Sequence, residues 1–232
     1  MVRSRHLVLL HGLLCDAALW RHQIEHLKDQ CDVLFVDLTR DASIATMAAR
    51  VLTEAPASFA LAGLSMGGYV AQEIMRQAPD RVERLALVGT NARADSDEQR
   101  KVRGDLVKLA GIGKFKGVTP RLLPNLIHPS RLEDPAVAGV VTEMAARVGQ
   151  EAFTRQQEAI MARKDGRGDL EAIRVPTLIM TGRQDVLCPP KVQVEMAERL
   201  PNAKLVLIED CGHLAPLERP EATTAVFRYW LA

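Results

Sequence analysis

Short runs of consecutive apolar residues alternate along the chain with segments whose apolar positions recur every three or four residues. The runs predict strands that are buried on both faces, and the spaced pattern predicts amphipathic helices. Because strands and helices alternate, we expect a mostly parallel sheet with helices on both faces. The predicted strands cover residues 6–10, 33–36, 59–62, 85–88, 175–180 and 204–208, and the predicted helices cover 17–27, 43–52, 69–77, 191–200 and 220–231.

This alternation stops between residues 92 and 170. The segment is charged and mainly helical in pattern, and it contains glycines and prolines at intervals but no strong strand. We therefore expect one α/β core, formed by residues 1–91 and 171–232, that carries residues 92–170 as a helical cap insertion.

Residues 59–71 read FALAGLSMGGYVA and place a serine on the turn between a predicted strand and a predicted helix. A G-x-S-x-G sequence in this context is typical of a nucleophile elbow. Gly63 and Gly67 have no Cβ, so the strand and the helix can approach closely. We expect the hydroxyl of Ser65 to project above the sheet edge. The amide of Met66 then lies at the helix N terminus, where the helix dipole favours a developing oxyanion.

Ser65, Asp185 and His213 each lie in the loop after a predicted strand, and such loops meet at the carboxyl edge of a parallel sheet. A serine hydroxyl needs an adjacent base, an imidazole accepts its proton, and a carboxylate orients that imidazole and stabilises its charged form. These residues are therefore candidates for a catalytic triad. An oxyanion also needs two donors, which we assign to the amides of Met66 and of Leu13 in the loop after the first strand.

Five stretches together resemble the α/β-hydrolase superfamily, in particular its small cap-bearing esterases, lactonases and C–C hydrolases. They cover most of the chain outside the predicted cap and read LVLLHGLLCDAALW, LAGLSMGGYVAQEIM, PDRVERLALVGT, VPTLIMTGRQDVLCPP and LVLIEDCGHLAPLERPE.

The resemblance implies that Ser65 is the nucleophile, Asp185 the acid and His213 the base, with Leu13 and Met66 as amide donors. It implies no metal and no organic cofactor. The chain begins almost at its first core strand, so we expect the family's leading antiparallel hairpin to be absent and the sheet to have about six strands.

Other polar residues have simpler interpretations. Asp210 could replace Asp185 as the acid, but we interpret it as a turn residue. We interpret His11 as a structural residue that hydrogen-bonds its own loop. His22 and His26 have a spacing that could suit a metal on one helix face, but no third ligand is evident in the sequence.

The four cysteines form no C-x-x-C pair, and a disulfide framework is not expected at this length. Cys15, Cys188 and Cys211 lie in loops expected at the same sheet edge. A metal or redox site can be considered there, but we favour small, partly buried side chains that line a pocket.

Composition narrows the class of partner. The chain has 232 residues and a formal net charge of +1, so nothing indicates a nucleic-acid partner. The apolar run at residues 7–10 is too short for a secretory leader or a membrane span, and we expect a cytoplasmic location. Residues 91–170 contain 14 Lys and Arg against 11 Asp and Glu. This excess suits either an anionic substrate or a solvated helix face, and we prefer the second interpretation.

We therefore predict a serine hydrolase that cleaves a small ester or lactone. Because the predicted cap has only Phe115 and Phe153 as aromatic residues, aliphatic or small carbonyl substrates are favoured over large aromatic ones. Hydrolysis of a C–C bond or a thioester, and a slow hydrolase that acts as a ligand receptor, remain alternatives. Halide or epoxide displacement is disfavoured, because those relatives carry an aspartate where this chain has Ser65.

Overall fold

The computed structural model describes residues 5–232. The prediction that the chain has no secretory leader concerns residues 1–4 as well, and that part lies outside the described residues. Six strands form one sheet in which all neighbours are parallel, in the order β2-β1-β3-β4-β5-β6. This arrangement confirms the predicted fold class, including the number of strands. The strands are β1 (Arg5–Leu10), β2 (Cys31–Val36), β3 (Phe59–Leu64), β4 (Val82–Val88), β5 (Thr177–Gly182) and β6 (Ala203–Ile208).

The strands are buried because the sheet separates two hydrophobic clusters. Along β1, Leu7 and Leu9 belong to one cluster, whereas Val8 and Leu10 belong to the other. Successive side chains of a strand point to opposite faces, so a continuous apolar run is the pattern that a doubly covered strand requires. Every residue of β3 and β5 is buried.

Helices cover the two faces of the sheet and fill the segment between β4 and β5. The side-chain oxygen of Ser43, the predicted N-cap, accepts a hydrogen bond from the amide of Thr46 at 3.1 Å. None of the helices within residues 5–232 is long and apolar enough to cross a membrane. The helices are α1 (Arg21–His26), α2 (Ile44–Glu54), α3 (Met66–Gln77), α4 (Asp97–Leu109), α5 (Val140–Met161), α6 (Pro190–Arg199), α7 (Ala215–Glu218) and α8 (Pro220–Leu231).

Helix boundaries differ from the sequence prediction by up to three residues, as at α3, which begins at Met66, and two helices differ more. The expected helix over residues 17–27 is divided into a 3₁₀ turn at Ala17–Trp20 and α1, since Asp16 caps the turn through the amide of Ala18. The short helix α7 was not predicted, because its four residues are too few to show a helical period.

Between β4 and β5, the described residues form helices and turns but no strand. Helix α4 contributes no buried residue, whereas α5 is extensively buried. The path of α5 breaks at Gly149, whose φ of 75° is accessible to glycine at little cost. Residues from both halves of α5, among them Val141 and Phe153, join the hydrophobic cluster that contains Leu14 and Leu214. The segment therefore packs over the loops at the carboxyl edge of the sheet.

Candidate active site

The turn between β3 and α3 holds Ser65 in a strained conformation. Its φ is 53° and its ψ is −113°, values that a residue with a Cβ rarely adopts. The amide of Ser65 donates to the carbonyl of Val88 at 2.9 Å, and the Thr90 hydroxyl donates to the carbonyl of Ser65 at 2.7 Å. Neighbouring β4 and the loop after it therefore fix both backbone polar groups of this residue.

Close approach of β3 and α3 explains the glycines on either side of the serine. A Cβ on Gly63 would collide with the carbonyl group of Gly67. A Cβ on Gly67 would lie 2.6 Å from the carbonyl oxygen of Leu10 at the end of β1. Neither contact leaves space for a side chain, so the elbow depends on glycine at both positions.

Asp185 and His213 form a buried pair at the ends of β5 and β6. The Nδ1 of His213 lies 2.8 Å from Oδ2 of Asp185, and the two residues are 3% and 2% exposed. The other carboxylate oxygen, Oδ1, accepts hydrogen bonds from the amides of Leu187 at 2.9 Å and Cys188 at 2.8 Å. The hydroxyl of Thr181 donates to Oδ2 at 3.0 Å. The carboxylate is therefore held in one orientation toward the imidazole.

Each member of this pair shifts the pKa of the other. Burial alone would lower the pKa of His213, but the charge and hydrogen bond of Asp185, together with the charge of Glu218, raise it above its ordinary value. Burial alone would raise the pKa of Asp185, but the charge and hydrogen bond of His213, with the amide and hydroxyl donors, lower it. The geometry thus favours a carboxylate beside an imidazole that gains a proton readily.

Glu218 of α7 supports the loop that carries His213, and sequence reasoning missed it. This side chain is fully buried, and its carboxylate accepts hydrogen bonds from the amides of Gly212 at 3.0 Å, Leu214 at 3.0 Å and His128 at 2.7 Å. Burial raises the pKa of Glu218, although these three amides lower it. No sequence motif indicates this role, because the three donors are backbone amides, which any residue type supplies.

The two amides assigned to the oxyanion lie at the expected positions. Met66 is the first residue of α3, and Leu13 lies in the loop after β1. Within residues 5–232, neither N–H donates to a protein acceptor. The next residue, Leu14, has a φ of 58°, so the loop is strained where it passes the serine.

A glutamine on α5, also missed at the sequence level, holds this strained loop. Gln156 is fully buried, and its Oε1 accepts the amide of Leu14 at 3.0 Å. A second contact joins the same two elements, since Arg147 of α5 pairs with Asp16 at 2.7 Å. The helix that covers the sheet edge therefore also positions the loop that contains Leu13.

A cavity of about 430 Å³ opens between the carboxyl edge of the sheet and the helices above it. Ser65, His213 and Leu13 all line it, whereas Asp185 lies behind the imidazole and is not part of its wall. Most of the remaining wall is apolar and includes Leu106, Leu109, Phe115, Val118, Leu126 and Phe153. Of the five predicted site residues, the structure thus brings Ser65, His213 and Leu13 to a single cavity.

His11 and Asp210 lie in structural positions. The buried ring of His11 accepts the amide of Leu38 at Nε2, 2.9 Å away, and Nδ1 lies 2.8 Å from the carbonyl of Gly12. The ring therefore bridges the loops after β1 and β2. Asp210 is exposed on a turn with a φ of 47°, a conformation that aspartate tolerates better than most residues.

The remaining histidines and cysteines show no metal arrangement. No group of three or more His, Cys, Asp and Glu side chains within residues 5–232 is placed to hold a metal ion. His22 stacks on His26 and bonds the hydroxyl of Thr224 at 2.8 Å. Burial raises the pKa of the Cys15 and Cys188 thiols to about 12, which disfavours the reactive thiolate.

Comparison with known proteins agrees with this architecture. The model of the alpha/beta hydrolase family matches residues 7–226. A pimeloyl-[acyl-carrier protein] methyl ester esterase of Nitrosomonas europaea is 28% identical over 237 residues, which cover 95% of this chain and 93% of that relative.

Solved structures of similar length share the fold. An esterase of Thermogutta terrifontis superposes with a TM-score of 0.88 at 29% identity and covers 98% of this chain and 89% of its own. The enol-lactonase of Burkholderia xenovorans LB400 has a TM-score of 0.89 at 26% identity, with 99% and 92% covered.

Proposed function

This chain belongs to the alpha/beta hydrolase family, and we propose that it is a serine hydrolase that cleaves a carboxylic ester or lactone of a small molecule. The observation that carries the proposal is the buried Asp185–His213 pair, whose imidazole lines the same cavity as the strained Ser65. A base oriented by a carboxylate beside a hydroxyl is the arrangement that activates a weak nucleophile.

In this mechanism Ser65 attacks the substrate carbonyl while His213 accepts the hydroxyl proton at Nε2. The carboxylate of Asp185 accepts a hydrogen bond from Nδ1–H of the imidazole, which fixes the tautomer and stabilises the imidazolium. The proton then passes to the leaving alcohol, and an acyl-enzyme remains on Ser65. His213 next removes a proton from water, which attacks the acyl group. The acyl–Oγ bond breaks, the acid leaves, and the imidazolium returns the proton to Oγ of Ser65.

Charge on the carbonyl oxygen is stabilised by the amides of Leu13 and Met66. Neither amide has a protein acceptor among residues 5–232, and Met66 begins a helix whose dipole favours negative charge at this end. Glu218 acts indirectly, since it accepts the amides on both sides of His213. All of these steps are acid–base and nucleophilic chemistry of side chains, and they call for no metal or organic cofactor.

Residues 92–170 form a cap over a core of residues 1–91 and 171–232 in this proposal. Its support is the burial of α5 above the sheet edge and the contribution of cap residues such as Leu106 and Phe153 to the cavity wall. The cap would limit the access of bulk water to the cavity. The cytoplasmic location expected from the sequence stays a prediction.

A fluorophosphonate probe and p-nitrophenyl esters of graded chain length test the proposal. We expect the probe to label the protein, and Ser65→Ala to abolish labelling and lower turnover by about 10³-fold or more. Ser130→Ala is a matched control, because Ser130 is exposed and hydrogen-bonds only within its own turn.

Absence of labelling in the folded protein would contradict the proposal. A stoichiometric burst without multiple turnover on any ester would instead favour the slow hydrolase that acts as a receptor. The chain-length profile measures the acyl part of the cavity.

A further inference from the structure

The cavity wall is uneven in charge. Three cationic side chains line it, those of Arg103, Lys114 and Lys116, and no Asp or Glu is among its lining residues. Nothing in the proposed ester chemistry requires a cation there, because the oxyanion is assigned to backbone amides. The positive groups therefore need a separate explanation.

Arg103 belongs to a buried cluster with an excess of positive charge. Asp95 is 3% exposed and pairs with two guanidinium groups, those of Arg103 at 2.8 Å and Arg163 at 2.7 Å. Both carboxylate oxygens are used, one for each arginine. Because two cations share one anion, the cluster carries one positive charge in excess. Arg163 is nearly buried and also lies over the ring of Tyr69 at 4.2 Å, whereas Arg103 is 25% exposed where it meets the cavity.

Hydrogen-bond donors converge where this cluster meets the cavity. Nη1 of Arg103 donates to Oε1 of Gln157 at 2.8 Å, which turns the NH₂ group of Gln157 away from the guanidinium. The hydroxyl of Tyr69 accepts from Asn91 at 3.3 Å, so its own hydrogen remains available. Among the contacts of residues 5–232, Arg103 Nη2 and Gln157 Nε2 donate to no protein acceptor.

Arg103, Gln157 and Tyr69 all line the cavity that contains Ser65. Tyr69 lies four residues after Ser65, which corresponds to about 6 Å along a helix axis. Burial raises the pKa of Tyr69 to about 12, so the phenol stays a donor. A group that accepts hydrogen bonds and carries negative charge is complementary to the unused donors of these three side chains.

We propose that Arg103, Gln157 and Tyr69 form a carboxylate-binding subsite, and that the substrate is an ester or lactone with a carboxylate group separated from the reacting carbonyl by an apolar segment. This inference rests on the proposed hydrolase function. A guanidinium fork and a side-chain amide suit a planar carboxylate, and the apolar wall suits the segment between the two ends. Exposed Lys114 and Lys116 stand at the same wall and attract the anion.

Methyl half-esters of dicarboxylic acids test the subsite against neutral methyl esters of equal chain length. We expect kcat/KM for the half-ester to exceed that for the neutral ester by about tenfold or more at one chain length, the size of one charge-assisted hydrogen bond. Gln157→Glu keeps the acceptor for Arg103 but adds a negative charge, so this preference should disappear.

Gln150→Glu is the matched control. It makes the same change on the same helix at an exposed position that does not line the cavity, and it should retain the preference. Equal kcat/KM values for the two ester classes at every chain length would overturn the subsite and leave the hydrolase function intact.

A binding measurement covers the case in which no ester is turned over. Monomethyl adipate is titrated calorimetrically into Ser65→Ala and into Ser65→Ala with Gln157→Glu. Binding that the second substitution weakens by about tenfold or more supports the subsite even if the proposed hydrolysis fails. No binding to Ser65→Ala by any half-ester overturns the subsite.

Discussion

Replacing Asp185 by asparagine should inactivate the protein by fixing the wrong tautomer of His213. The new amide has one oxygen and one NH₂ group where the carboxylate has two oxygens. Oδ1 faces the amides of Leu187 and Cys188, which can only donate, so the amide oxygen belongs there. The NH₂ group then faces Nδ1 of the imidazole, which must accept and carry its proton at Nε2 instead. Such an imidazole cannot take a proton from Ser65.

The expected loss of activity follows from the free energy needed to turn the new amide of Asp185→Asn into the opposite orientation. Turning the amide would place NH₂ against the amide of Cys188, which is buried, and that of Leu187, which is partly buried. An unsatisfied buried donor costs about 1–3 kcal/mol, so the productive tautomer is disfavoured by at least about that amount. The charge that stabilises the imidazolium is lost as well. We expect kcat to fall by about 10³- to 10⁴-fold. The pKa of His213 should also fall, because Asp185 is what raises it against burial.

The assay combines ester turnover with the nitrogen-15 spectrum of labelled histidine, which distinguishes the two neutral tautomers. Asp210→Asn is the control, since Asp210 is exposed and asparagine tolerates its positive φ. It should leave turnover within about twofold of the native protein, because surface changes of this kind shift energies by less than about 0.5 kcal/mol. Turnover of Asp185→Asn within tenfold of native, or a spectrum with the proton still on Nδ1, would refute the reasoning.

Three further predictions test the base, the oxyanion loop and the elbow. Because the pKa of His213 is raised above the ordinary imidazole value of 6.5, kcat/KM should fall on acidification with a midpoint above pH 6.5. A midpoint below pH 6.5 in the pH–rate profile would contradict the role of His213 as the base. Gln156→Met removes the acceptor for the amide of Leu14 and should lower kcat about tenfold or more with little change in KM. Gln156→Glu keeps that acceptor and should retain more activity. Equal kcat values for the two variants would argue against a positioning role. Gly63→Ala should lower the free energy of unfolding, measured in urea, by about 3 kcal/mol or more. Gly104→Ala, whose Cβ would meet no atom, should raise it by about 0.5–1 kcal/mol. Similar changes in the two variants would mean that the elbow tolerates a side chain.

Local patterns predicted the fold well because each strand is buried along its whole length. The run at residues 59–62 identified β3, and the spacing after it identified α3, although α3 begins three residues earlier at Met66. Gly67 and Gly68 made that first turn hard to recognise, because glycine supplies no apolar side chain to a helical period. The candidate triad could be named from sequence because each member follows a strand of one parallel sheet, and such strands share an edge.

Residues that support the site could not be identified from the sequence, because no local pattern marks their role. Glu218, Gln156 and Arg103 act through partners that are distant in sequence or through backbone amides. Leu14 and Gln156, for example, are separated by 142 positions. Each of the three is an ordinary helical residue by composition and spacing. Only the packing of the middle segment on the sheet edge gives them a role.

That packing makes the middle segment a structural part of the site. The carbonyl of Leu126 accepts the amide of His213 at 3.0 Å, and the amide of His128 donates to Glu218, so the turns at 126–128 hold the loop of the base. Gln156 of α5 holds the oxyanion loop at Leu14. Moving either part would leave buried polar groups without partners, at about 1–3 kcal/mol each.

Helix α4 is different, because it buries no residue and contacts neither loop through a hydrogen bond. It nevertheless supplies Arg103, Leu106 and Leu109 to the cavity wall. The two helices of the middle segment, α4 and α5, therefore differ in what their substitution changes. Substitutions on the exposed helix can alter which substrate fits without disturbing the histidine or the oxyanion loop. Substitutions in α5 change catalysis and specificity together, because Gln156 and its neighbour Gln157 join one helix to both the oxyanion loop and the proposed carboxylate subsite.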